Sequence, residues 1–504
     1  MTDRHAGDGV HLLTYVDRLA GDLAGLRALI DGPLRRFAGV HLLPFFVPFD
    51  GADAGFDPVD HLRVDPRLGE WADVRALAGD GLALTADLIV NHVSAQSAEF
   101  ADWLAHGDAS PSADMFLTFD KVFPDGADEA AITAIYRPRE GLPFTPYQFA
   151  DGTRRLVWTT FMPGQIDLDV SSAPAWAYLR RVLAAFAAAG VRIVRLDAIG
   201  YAVKTAGTDS FLTEDTLAFT ERITAMAHEF GLAVLVEVHA HYTQQQAIAE
   251  LVDYVYDFAF PPLLLHAFGT GDVARLLHWL DIRPANAVTV LDTHDGIGVI
   301  DAGDSGARPG LLTSDEMAAI FDRAAEVTNG ESARASRRPA WTRLPHQINS
   351  TFFAVLGGDP ANLVLARAMQ LFLPGLPQLY YVGLLGGGND MALFAASGEG
   401  RDVNRHHYGP DEVSVALATD VARAQLALVA IRTGHPAFGG AFGYEAVGAS
   451  GIQLSWTNGV HRAELRADFG AAVRPTWQLS LTDGTGTSHS ATTPAAVSTL
   501  ETVL

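Results

Sequence analysis

Residues 191–197 read VRIVRLD: four aliphatic residues, two arginines and a closing aspartate. A run this short and this apolar suits a strand covered on both faces, as in a parallel sheet. Arg195 and Asp197 stand two residues apart, so a strand presents them on one face, with the guanidinium able to hold the carboxylate ionised. Runs of the same kind recur along the chain: VHLLTY (10–15), GVHLLPFF (39–46), LALTADLIV (82–90), GLAVLVE (231–237), DYVYDF (253–258), AVTVLD (287–292) and QLYYV (378–382). Helical patterns lie between them. Phe219, Ile223, Met226 and Phe230 share one helical face, and Ser172 with Pro174 caps an Ala-rich helix ending near Gly190. Strand and helix in alternation, eight times over, predict an α/β fold of the (β/α)8 barrel type. A doubly wound sheet is the competitor, but candidate chemistry at so many strand ends favours closure.

Two long intervals break the rhythm. Residues 91–170 form an insertion rich in Pro, Gly and aromatics, too long for an ordinary loop and expected to fold as a small domain at the barrel mouth. Residues 296–350 form a second insertion, carrying ESARASRRPAWTRLPHQ. The barrel is then expected from 1–90, 171–295 and 351–434. Past His435 the helical pattern yields to alternating segments such as IQLSWTN and WQLSLTD, so 435–504 reads as an antiparallel β domain.

Composition narrows the class of function. The 504 residues are 49% hydrophobic and 19% charged, a balance that buries a large interior and is the reverse of disorder. A formal charge of −24 disfavours nucleic-acid phosphates and anionic lipid heads as partners. With no cysteine, thiolate metal sites, thiol nucleophiles and disulfides are excluded. The polar, acid-dotted start lacks the pattern of a signal peptide, and no apolar run reaches membrane-spanning length. The expectation is a soluble, cytoplasmic protein acting on small molecules, with a homodimer permitted by the acidic surface.

In such barrels chemistry sits at the C-terminal strand ends. Those ends offer Asp50, Asp87, Asn91, His92, Arg195, Asp197, Glu237, His294 and Asp295. Three carboxylates converging from separate strands suit glycosidic-bond chemistry, in which one attacks, one protonates and another supports the cationic transition state. Asp197 beside Arg195 suits the nucleophile, and Glu237 at the end of LAVLVE has the apolar setting of a general acid. His239 and His241 stand at alternate positions after Glu237, but no further ligand follows at metal-like spacing, so no metal is expected. GGGND (386–390) lacks the Lys and Ser/Thr of a phosphate loop and reads as a flexible turn. His406 and His407 read as rim residues.

DLIVNH (87–92), VRLDAIGY (194–201), EVHAHY (237–242) and LDTHDGIG (291–298) resemble, in order and spacing, the four strand-end motifs of the α-amylase superfamily, glycoside hydrolase family 13. LLPFFVPFDGADAGFDPVD (42–60), IYRPREGLPFTPYQFADGT (135–153), QIDLDV (165–170), YDFAFPPLLLHA (256–267), LPGLPQLYYVGLLGGGND (373–390) and GRDVNRHHY (400–408) narrow the resemblance to its sucrose phosphorylase and sucrose 6'-phosphate phosphorylase group. The resemblance runs from about residue 10 to 435. It implies Asp197 as nucleophile, Glu237 as acid and base, and Asp295 with His294 holding the sugar ring and hydroxyls. It implies a glucose pocket of Asp50, His92, Phe161, Gln165, Arg195 and Arg401, with Gln347 nearby. Asp87 reads as structural. No cofactor is implied; inorganic phosphate is the co-substrate.

A phosphate acceptor needs fixed positive charge, for which Arg137 and Arg139, with Tyr136 beside them, are candidates. A hydrolase or transglucosidase would share the same carboxylates, and an inactive barrel acting as a binding protein would lack one of them. The sequence departs from the group in the acceptor segment. A Leu-Asp-Leu-Tyr-Gln pattern is replaced by Arg343-Leu344-Pro345-His346-Gln347, and Ser332 to Gly358 holds four arginines and no acid. Solvated arginines that offset the acidic surface are the plainer account. Arg343 and His346 as a grip on a phosphorylated leaving group are the sharper one, expected to favour sucrose 6'-phosphate, with sucrose second and glucosylglycerate more remote.

Overall fold

The computed structural model describes residues 9–79, 81–139, 141–306, 308–336, 344–470 and 474–501. Seven of the eight runs read from the sequence contain a strand, and the eighth, 378–382, overlaps one that starts two residues earlier: β1 His11–Thr14, β2 Gly39–Leu42, β3 Ala83–Ile89, β4 Val191–Asp197, β5 Ala233–Val236, β6 Tyr254–Asp257, β7 Ala287–Thr289 and β8 Leu376–Tyr380. They close into a barrel in the order β1-β8-β7-β6-β5-β4-β3-β2. The fold is the α/β barrel that the alternation predicted. Contacts group the chain into two compact units, one holding Leu42–Val238 and Glu250–Tyr254, the other the remaining segments.

In the unit built on Leu42–Val238, β4 pairs in parallel with β3 (Arg195 opposite Asp87) and with β5 (Arg195 opposite Leu235). Val191, Ile193, Val194 and Leu196 are buried, and so is Arg195. A long helix, α1 (Ala173–Ala188), precedes β4. The Ser172 hydroxyl accepts from Ala175 N, and Tyr178, Leu179, Val182, Leu183 and Phe186 form its buried face. The helix after β4, α2 (Glu214–Glu229), is capped by Thr213 and buries Phe219, Ile223 and Met226, the spacing seen in the sequence; Phe230 ends the helix instead of extending that face. Residues 91–170 contain a hairpin, Phe144–Gln148 with Arg154–Trp158, over a small core of Leu117, Phe123, Ile135 and Trp158. Its two ends are joined where His92–Ser94 pairs antiparallel with Gln165–Asp167.

In the other unit, β1 pairs with β8, and β7 with both β6 and β8, all in parallel. Ile297–Gly298 pairs antiparallel with Gln347–Ile348, so the insertion that leaves after β7 returns beside its own start. The C-terminal strands β9 (Ala441–Val447), β10 (Gly451–Asn458), β11 (His461–Asp468), β12 (Thr476–Thr482) and β13 (Ser488–Ala491) form one antiparallel sheet in sequence order. Alternation decides which face is buried: Ala463, Leu465 and Ala467 point inward from β11, Leu479 and Leu481 from β12. Trp456 Nε1 donates to the Phe372 carbonyl at 2.7 Å. Among the described residues no single helix is long and apolar enough to cross a membrane.

Candidate active site

Asp197 closes β4, and Glu237 follows the last residue of β5. Arg195 Nη1 donates to Asp197 Oδ1 at 2.8 Å and to Asp87 Oδ1 at 2.6 Å. The i, i+2 geometry of the strand makes the first bond, and the parallel register makes the second by setting Arg195 opposite Asp87. Asp87 and Arg195 are buried, whereas Asp197 keeps partial access to solvent. The arginine therefore fixes one oxygen of Asp197 and leaves the carboxylate presented beyond the strand end. That arrangement suits a nucleophile.

Beside it, His92 Nε2 donates to the Phe56 carbonyl at 2.8 Å, which leaves Nδ1 to accept from Asn91 Nδ2 at 3.3 Å. Burial lowers the His92 pKa, so the ring is neutral at neutral pH. Phe161 stands edge-on to Tyr201 at 5.0 Å and tilted against His92 at 5.3 Å. Gln165 is buried in the short ladder opposite Ser94. Tyr136 stacks on Tyr201 and tilts against Phe211, both within 6.1 Å. Burial raises the Tyr201 pKa well above its ordinary value.

Three further candidates in this unit have partners of their own. Asp50 is exposed and meets Arg67 in a two-bond pair at 2.6 and 2.7 Å, with Arg67 also bound to Asp65. Arg139 faces Asp53 at 3.6 Å, and Arg137 donates to the Gly141 carbonyl at 3.2 Å.

The other unit carries Asp295 beyond the end of β7, in a cationic nest. Arg401 Nη1 lies 2.8 Å from its carboxylate, and Arg405 and His294 lie at 3.7 Å. Burial alone would raise the pKa of Asp295, but these neighbours outweigh it and hold the carboxyl well below the usual range. His294 stands edge-on to Tyr15 at 6.1 Å. His346 is half-buried, and burial together with nearby His239 lowers its pKa, so it is uncharged at neutral pH. Gln347 donates to Asn349 Oδ1 at 3.0 Å. Arg343 lies outside the described residues. His239 Nδ1 meets Asp301 at 3.2 Å, and His241 Nε2 donates to the Pro309 carbonyl at 3.0 Å.

Several residues that hold these segments in place were not singled out in the sequence. Arg405 Nε donates to the His294 carbonyl at 2.8 Å, and Asn404 Nδ2 donates to the Thr293 carbonyl at 2.8 Å, so GRDVNR holds the Asp295 segment by its backbone as well as by charge. GGGND is no free turn: Asn389 Oδ1 accepts from Ser350 Oγ and Thr351 N, and its amide donates to Glu331. The four-residue spacing of Arg401 and Arg405 could have pointed to the first pair. Nothing local pointed to Asn389.

The carboxylate that an arginine holds at the end of β4, and the buried aspartate that arginines surround after β7, set the frame for comparison with known proteins. Residues 7–257 match the family described as Alpha amylase, catalytic domain. The chain is 50% identical to a sucrose phosphorylase of Agrobacterium vitis, over 92% of this chain and 95% of the relative. The chain belongs to the sucrose phosphorylase group of the α-amylase family. A sucrose phosphorylase of Bifidobacterium adolescentis is 46% identical, over 90% of this chain and 91% of its own. The crystal structure of sucrose 6F-phosphate phosphorylase from Thermoanaerobacter thermosaccharolyticum superposes with a TM-score of 0.90 at 33% identity, covering 98% of this chain and 99% of that one. Membership of this group makes the chain an enzyme of the glycosyl-transferring phosphorylase type that works on sugars and phosphate.

Proposed function

We propose that the enzyme transfers glucose from sucrose to inorganic phosphate with retention at the anomeric carbon, using no cofactor. Asp197 attacks C1 as the C1–O bond to the leaving fructose breaks, and Glu237 gives that oxygen its proton. Phosphate then attacks C1 of the β-glucosyl ester, Glu237 accepts a proton from the phosphate, and Asp197 leaves as carboxylate. Two inversions give α-glucose 1-phosphate. Asp295 binds the hydroxyls of the glucosyl ring and supports positive charge at C1. The observation that carries this reading is the bond from Arg195 to Asp197, which fixes one carboxylate oxygen at the strand end beside a guanidinium.

For the leaving group, sucrose is favoured over sucrose 6'-phosphate by two observations. The relatives at 50% and 46% identity are both sucrose phosphorylases. His346 is uncharged at neutral pH, and Arg139 already faces Asp53, so neither offers free positive charge to a sugar phosphate. The phosphorylated substrate is the second reading. It is supported by the arginines of the 334–343 stretch, by the replacement of an acid with Leu344, and by the resemblance to a sucrose 6F-phosphate phosphorylase. Measuring kcat/KM for both sugars in the wild type and Arg343→Ala tests the choice. Preference for sucrose that survives the substitution supports the first reading. Preference for sucrose 6'-phosphate that Arg343→Ala abolishes overturns it in favour of the second.

A further inference from the structure

The geometry points to Lys204 as a positioning residue for glucosyl transfer, its ammonium tying together the three segments that carry Asp197, His92 and the Phe161–Gln165 wall of the glucose pocket. The inference rests on the transfer proposed above and goes beyond it. Lys204 lies seven residues past Asp197, and its side chain is 2% exposed. An ammonium has three protons to give. Here they meet three acceptors: the Asp167 carboxylate at 2.8 Å, Asn91 Oδ1 at 2.9 Å and the Tyr201 carbonyl. The Trp158 ring lies over the charge at 5.9 Å.

Each acceptor leads to a pocket residue. Asn91 precedes His92 and donates to its ring at 3.3 Å. Asp167 stands opposite His92 in the short ladder, and its carboxylate accepts from Thr160 N at 3.0 Å and Thr160 Oγ1 at 2.5 Å, one residue before Phe161. Gln165 is two residues before Asp167 on the same strand. Tyr201 ends the single helical turn that follows Asp197, and its ring is the edge-on neighbour of Phe161 at 5.0 Å.

A buried ion pair is weak as a source of stability, because a packed apolar pair of similar volume does as well. What the ammonium adds is direction. Three short bonds on three chain segments fix their register, and a register error of about 1 Å in a pocket costs about a hundredfold in rate. The rival role is that of a simple counter-ion to Asp167, and the two roles separate once the charge of Asp167 is removed as well.

The test compares wild type, Lys204→Met and the double variant Lys204→Met/Asp167→Asn, by melting temperature and by kcat and KM with sucrose and phosphate. A positioning role predicts that the double variant melts close to wild type yet has kcat/KM lowered about a hundredfold, with KM contributing about tenfold. A double variant within twofold of wild type in both constants overturns the inference and leaves Lys204 a counter-ion. If both Met variants fail to fold, Asn91→Ala decides, since it keeps the ion pair and removes one tie. A rise in KM of about 10- to 100-fold, the worth of one hydrogen bond to a charge, supports the role, and an unchanged KM overturns it. A wild type that makes no glucose 1-phosphate counts against the proposed reaction alone. The same variants are then compared by calorimetric affinity for glucose, where an equal affinity in all of them overturns the role of Lys204.

Discussion

Arg195 reaches Asp197 and Asp87 through the same nitrogen, Nη1, at 2.8 and 2.6 Å. The carboxylate at the strand end and the carboxylate buried beneath it are therefore linked through one guanidinium. Asp87 orients Arg195, and Arg195 orients Asp197. Asp197→Asn is expected to keep the melting temperature within a few degrees and to lower kcat by several orders of magnitude, because no glucosyl ester forms. Asp87→Asn is expected to act on stability first. It leaves a buried guanidinium with one carboxylate fewer, a loss of about 3–5 kcal/mol in denaturant unfolding. Equal kinetic losses in the two variants would contradict this division of roles.

Arg405 holds the Asp295 segment by its backbone, through the His294 carbonyl, and adds to the charge that keeps Asp295 ionised. Arg405→Gln should lower kcat/KM by about 10- to 100-fold, the worth of a hydrogen bond to a charged group. It should also weaken the hold on the Asp295 charge. Folding lowers the pKa of Asp295, so its contribution to stability is complete above about pH 4 and is lost as pH falls further. In Arg405→Gln that contribution is smaller, and the melting temperature should fall less steeply below pH 4 than in wild type.

Two histidines should give stability opposite dependences on pH. His61, bound to the Tyr178 hydroxyl at 2.6 Å, is pushed by burial down to about 3. The unfolded chain takes up this proton first, so stability falls as pH drops from about 6.5 toward 3. His406 bridges Asp390 at 2.5 Å and Glu412 at 2.9 Å; burial opposes its charge, but the two carboxylates win and its pKa is raised. Its contribution is complete below about pH 6.5 and is lost as pH rises through the higher folded value. Melting profiles of His61→Asn and His406→Asn should flatten on the acid and the alkaline side respectively, and a flattening on the same side in both would refute the assignment.

Trp456 ties the C-terminal sheet to the Phe372 carbonyl. Trp456→Phe keeps most of the ring packing and removes the donor, so a loss of about 1 kcal/mol is expected from the hydrogen bond alone, with kcat and KM unchanged. Altered kinetics would mean that the C-terminal sheet influences the site.

The barrel was legible because eight short aliphatic runs each lie within reach of a helical pattern; seven contain a strand, and the eighth, 378–382, overlaps one that begins at Leu376 and gives way to helix at Tyr381. Arg195 beside Asp197 was legible for the same reason, since alternation along a strand fixes which side chains share a face. The pairing of Asp50 with Arg67 was not: the two are 17 residues apart, and no period links them. Lys204 and Asn389 were missed on similar grounds. Their partners come from segments 113 and 58 residues distant, at places where the sequence offers a lone lysine and a glycine-rich run. Charge also misled in the acceptor segment, where His346 looks cationic in sequence and is neutral in its half-buried setting.

The most direct test of the account is the anomeric configuration of the first sugar phosphate that the wild-type enzyme forms from sucrose and inorganic phosphate, followed by proton NMR from the earliest turnover. The account predicts α-glucose 1-phosphate as the first product, with fructose released in equal amount. First formation of β-glucose 1-phosphate, or release of free glucose with no phosphate incorporated, would contradict it.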